Sequence, residues 1–185
     1  MRRALTLLSL SASLLVGSRA GAAAPHWDSG DGDFGPYMTY QDPHGPQIGD
    51  GLECNTHPAA NGQTQPNTNA GLVHLAWSFA HNAHARRGAD GVARDAGGRA
   101  EPWPTTLTLA SGSVSASFRA TATDDHDGDP PGFGVYVEAD VPANAQVMQG
   151  FARTGELTLS AYALLQRPVK ATGEAAARFI SLCSK

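Results

Sequence analysis

Apolar and polar residues alternate most regularly in the C-terminal half of the chain. Val114, Ala116, Phe118, Ala120 and Ala122 alternate with Ser113, Ser115, Ser117, Arg119 and Thr121. A period of two places one set on a buried face and the other in water, which predicts a half-buried strand. Leu107 and Leu109 begin a strand before it, and Ser111-Gly112 supplies a hairpin turn. Phe133, Val135 and Val137 alternate with Gly134, Tyr136 and Glu138 in a following strand, expected to pair antiparallel with 113–123. Leu157, Leu159 and Ala161 mark another. Further upstream, Val73, Leu75, Trp77 and Phe79 alternate with His74, Ala76 and Ser78, and Leu52-Glu53-Cys54 reads as a short strand.

Two segments change period. Val141, Ala145, Met148 and Phe151 recur at three- and four-residue steps, which predicts a short helix over 142–153 with Gly155 just past its end. Ala176, Phe179, Ile180 and Cys183 share one helical face over 173–183, and Thr172 stands where a cap is needed. The remaining stretches carry turn chemistry. Residues 24–51 form a Gly/Asp/Pro-rich segment whose Trp27, Phe34, Tyr37 and Tyr40 are expected to pin it to the core edge. Residues 55–71 and 81–104 read as long loops. Strands punctuated by turns, without a βαβ rhythm, predict an α+β domain over 52–185. The expected sheet is an antiparallel sandwich or open barrel of roughly five to seven strands. A short helix crosses it, and one sheet face carries small polar residues.

The first 23 residues stand apart. Arg2 and Arg3 precede an apolar, charge-free run from Ala4 to Gly17, and Ala20 to Ala24 supply small residues. This is the layout of an export signal, and its apolar run is too short to span a bilayer. Ala4-Leu5-Thr6 matches a twin-arginine signal poorly, which favours the general secretory route. Removal of residues 1–23 takes three arginines and no acids, so the formal charge falls from −4 to −7. An acidic chain lacks the clustered cations that nucleic acid or an anionic membrane surface requires.

Export changes the reading of Cys54 and Cys183, the two cysteines of the chain. An even pair in an oxidising compartment reads as a disulfide, and the absence of Cys-x-x-Cys argues against a redox dyad. Cys183 lies on the apolar face of the last helix, so this bond would staple that helix to an early strand.

Candidate chemistry is sparse. His81 and His84 lie three apart and could share a metal with a third ligand such as His126. The acidic run Asp124 to Asp129 has oxygens at alternate positions. Counted from Asp125, however, Pro130 and Tyr136 occupy the places where a calcium loop needs Gly and Glu. No Gly-x-Ser-x-Gly, His-Glu-x-x-His, phosphate loop or dinucleotide fingerprint is present. No cofactor is implied and no catalytic residue is assigned. The pattern favours a non-catalytic binding or accessory protein of the cell envelope, partnered by an envelope protein or cell-wall component. A histidine-based metal-binding protein and a small secreted hydrolase are the alternatives.

The run Phe151-Ala152-Arg153-Thr154-Gly155-Glu156-Leu157-Thr158-Leu159-Ser160, followed by a final helix ending in Cys183, resembles small secreted bacterial proteins that join a strand to a last helix by a disulfide. It is distantly similar to periplasmic proteins of the invasion-associated locus B type. The resemblance covers residues 105–183. It implies an exported, disulfide-stapled domain and assigns no functional residue.

Overall fold

A computed structural model describes residues 26–32, 35–41, 51–54, 71–79, 86–125, 134–166 and 171–184. The architecture is α+β. Nine antiparallel strands form one sheet curled into a half-barrel, so the open-barrel form of the expectation is the one adopted. In chain order, the strands of this sheet are β1 (His26–Gly32), β2 (Gly35–Gln41), β3 (Gly51–Cys54), β4 (Leu72–Phe79), β7 (Trp103–Ser111), β8 (Val114–Asp125), β9 (Gly134–Pro142), β10 (Thr158–Ala161) and β11 (Leu164–Gln166). Across the sheet they run β1-β2-β3-β4-β9-β8-β7-β10-β11. Two short strands, β5 (Arg86–Arg87) and β6 (Ala93–Arg94), form a separate ribbon.

The alternation seen in sequence sets the register. Leu107 faces Phe118 and Leu109 faces Ala116 in the β7–β8 hairpin, whose turn uses Gly112 at a φ of 58°. On β4 and β9, Val73, Leu75, Trp77 and Phe79 oppose Val141, Ala139, Val137 and Val135. All eight are buried. Each of the larger side chains contributes roughly 1.5–3 kcal/mol through burial.

Both helices lie on this apolar face. α1 (Gln146–Thr154) buries Val147, Met148 and Phe151 against β7 and β8. It comes so close that a Cβ on Gly150 would fall 3.1 Å from the Cβ and Oγ of Ser111. Gly150, which weakens a helix by propensity alone, is there for that approach. α2 (Gly173–Cys183) buries Ala176, Phe179, Ile180 and Cys183, and the Thr172 hydroxyl accepts a hydrogen bond from the Ala175 N–H, as a cap should. α2 packs on α1 and reaches β2, β3 and β4. Cys183 is bonded to Cys54 on β3 across a Cα–Cα distance of 4.9 Å, so the predicted staple is present.

Four details differ from the sequence reading. The Gly/Asp/Pro-rich stretch contains a β-hairpin, β1–β2, joined to the main sheet through β3, where loop was expected. Cross-strand packing supplies what propensity withholds: Trp27 and Tyr40 meet at 5.7 Å between ring centroids, and both lie against Trp77. This hairpin and β11 raise the strand count above the expected range. The crossing helix begins at Gln146 rather than Pro142, because Pro142 completes β9 opposite Leu72 and the chain turns before the helix starts. Within the expected 81–104 loop, residues 86–87 and 93–94 form the ribbon. Glu101 ties it to the sheet by accepting from the Ala93 and Asp124 N–H groups at 3.1 and 2.8 Å. The Glu101–Pro102 peptide bond is cis. Among the described residues, no helix is long and apolar enough to cross a membrane.

Candidate functional site

The sheet face away from the helices carries its polar alternates. Neighbouring strands in register set these side chains in rows. One row runs Tyr37 on β2, Glu53 on β3, His74 on β4 and Asp140 on β9. Extending the β8–β9 register by two residues places Arg119 level with Asp140, and Arg119 is paired in turn with Thr106 on β7. The next row holds Thr121, Glu138 and Ala76. A shallow open depression of about 310 Å³ lies over these positions, bordered by His74, Arg119, Thr121, Glu138 and Asp140.

His74 is the centre of this cluster. Its Nδ1 lies 3.0 Å from Asp140 Oδ1, and its Nε2 lies 3.6 Å from Glu138 Oε1. The imidazole is 26% exposed and the carboxylates 47% and 40%. Asp140 and Glu138 are two apart on β9, so both project to one face and bracket the ring. Only the imidazolium carries a proton on each nitrogen; the neutral ring donates to one carboxylate alone.

This geometry limits the chemistry. A metal ion binds one imidazole nitrogen, but the two carboxylates stand at opposite nitrogens, so one ion cannot engage all three in this arrangement. Among the described residues, no group of three or more His, Cys, Asp or Glu side chains is placed to hold a metal. An Asp–His pair can orient a general base. Here the second nitrogen is directed at Glu138, and the depression is broad and open to water. The arrangement suits recognition of polar or charged groups on a wide surface.

The sequence candidates fare unequally. Cys54 and Cys183 are joined. His81, His84 and His126 lie outside the described residues, as do residues 126–129 of the acidic run. Asp124, at the start of that run, is a buried residue of β8 bonded to Arg87 at 3.0 Å, which gives it a structural role in holding the ribbon.

Sequence reasoning missed the cluster of His74, Glu138, Asp140 and Arg119. The alternation placed His74 opposite Trp77 and Glu138 opposite its apolar neighbours. The signal lacking was the β4–β9 register, which no local pattern fixes.

A second feature is a slot of about 90 Å³ between the β1–β2 hairpin and α2, lined by Ser29, Gly30, Pro36, Ala175, Phe179 and Leu182 among others.

No family model, curated protein or solved structure matches this chain.

Proposed function

We propose that this chain is an exported, non-catalytic accessory protein of the cell envelope that acts by binding an envelope protein or cell-wall component. The observation that carries the reading is the Cys54–Cys183 bond, which fastens the C-terminal helix to the sheet across 129 positions. Such a bond is kept in oxidising compartments and is rare where thiols are held reduced. It agrees with the export-signal pattern of residues 1–23, with the acidic charge of the remainder, and with the resemblance of 105–183 to secreted proteins. The broad depression beside His74 supports binding of an extended partner surface over enclosure of a small substrate.

The test is expression of the full chain in a Gram-negative host, with a photocrosslinking residue in place of Arg119 at the border of the depression. The reading predicts recovery from the periplasm with both cysteines blocked to alkylation, and a discrete crosslinked species with an envelope component. Cytoplasmic recovery with two alkylated thiols contradicts it. So does a periplasmic chain that yields no crosslink from Arg119 or from other outer-face positions.

A further inference from the structure

β1 is the terminal strand of the nine-stranded sheet among the described residues, and all seven of its residues are paired on one side with β2. Which of its backbone groups point outward follows from the register. Antiparallel partners alternate between mutually bonded and non-bonded pairs. Two positions separate the paired Gly32 and Gly35, and such a hairpin closes on a mutually bonded pair. Pro36 then falls in a non-bonded pair with Asp31, as a residue without an N–H must. Counting on, Ser29 (opposite Met38) and Trp27 (opposite Tyr40) also occupy non-bonded pairs. Their N–H and C=O groups therefore point away from β2, out of the sheet edge.

Ring contacts anchor this edge, and a slot lies beside it. Trp27 is fixed by ring contacts of 5.7 Å with Tyr40, 5.7 Å with Trp77 and 6.1 Å with Phe151. Ser29 shares a face with the buried Met38 yet is itself exposed. Below it lies the slot, lined from α2 by Ala175, Phe179 and Leu182 with Arg178 on the same flank. Ala175 and Leu182 are partly buried apolar residues on that flank. Among the described residues the half-barrel does not close, and no strand pairs with this edge.

We propose that the β1 edge binds an extended segment of a partner protein by strand addition. The segment would bond the outward groups of Trp27 and Ser29 and set one small apolar side chain into the slot above Ala175, Phe179 and Leu182. Main-chain bonding supplies affinity in this mode, and the slot selects among sequences. The inference rests on the reading of the chain as a binding protein and names the chemistry of what it binds.

The probe is a phage-displayed pool of random decapeptides, selected on the disulfide-bonded chain. An enriched peptide is resynthesised with one backbone N-methyl group at each position in turn. Strand addition predicts that affinity falls at every second position only, about tenfold or more per lost bond. Ser29→Pro removes an outward N–H without touching a β1–β2 bond, and should abolish binding while the Trp fluorescence and unfolding midpoint stay near those of the parent. Leu182→Lys, which fills the slot rim with a charge and leaves the hairpin untouched, gives a second and independent loss.

Binding indifferent to both variants, or sensitive to N-methylation without alternation, overturns the proposal. A concentration-dependent dimer dissolved by Ser29→Pro overturns it too, by assigning the edge to a second copy of this chain. If no peptide is selected and crosslinks from Arg119 still capture an envelope component, strand addition fails while the binding reading stands.

Discussion

Gly155 and Ala171 lock the end of one helix to the start of the other. The Ala171 N–H donates to the Gly155 carbonyl at 2.9 Å, and a Cβ added to Gly155 would lie 2.1 Å from the Ala171 carbonyl oxygen. Gly155 also has a φ of 70°, the left-handed conformation that ends α1. Two separate requirements therefore fall on one residue: a backbone that side chains resist, and a contact with no room for a side chain.

Gly155→Ala should thus be among the more damaging single substitutions in the chain, destabilising it by roughly 2–4 kcal/mol. Urea unfolding checks this: the midpoint should fall with the slope unchanged.

The opposite substitution is informative at the β10–β11 turn. Tyr162 and Ala163 both have positive φ, 53° and 61°. Two-residue hairpins favour Asn and Gly at such positions. Ala163 is exposed, so replacing it removes little packing. Ala163→Gly is expected to stabilise by about 0.5–1 kcal/mol, read as a rise in melting temperature.

Opening the Cys54–Cys183 bond frees a loop spanning 129 positions. On the chain-entropy account its loss costs roughly 3–5 kcal/mol. The Cys54→Ser/Cys183→Ser double variant should show that difference in equilibrium unfolding. Both sulfurs belong to buried residues, so the intact protein should resist mild reductant until it unfolds.

The ribbon carries the pH prediction. Asp90 is held well below its ordinary 3.8, at about 2, mainly by its side-chain hydrogen bonds with Arg94 and then by the Val92 N–H. A depressed folded-state pKa stabilises above the unfolded value, and that contribution is lost as pH falls through the folded one. The pair is at the surface, so the effect is local and small. As pH falls through about 2 the Val92 and Arg94 amide resonances should shift together as Asp90 protonates, and Asp90→Asn should remove that transition.

Much of the fold was legible from the chain because its strongest signals are local. The alternation of 113–123, the Thr172 cap, the apolar face of α2 and the Cys54–Cys183 staple each need only a short window or a pairing rule. What escaped depends on register and packing. Residues 26–41 carry glycines, aspartates and a proline that propensity assigns to turns, yet the contacts of Trp27 and Tyr40 with Trp77 make them a hairpin. The cluster around His74 is invisible for the same reason: 66 positions separate His74 from Asp140, and only the β4–β9 pairing brings them to 3.0 Å. Glu101 likewise reads as a loop acid, and becomes a clamp only once β8 and the ribbon are adjacent.

The central claim is that an exported, disulfide-locked domain does its work outside the cytoplasm. Intact mass measurement of the chain recovered from fractionated cells, alkylated at harvest without reductant, tests it most directly. The account predicts a periplasmic species that begins near Ala23, carries no alkyl group and is two hydrogens lighter than its summed residues. A chain that retains residues 1–23, remains in the cytoplasm and carries two alkylated cysteines would contradict it.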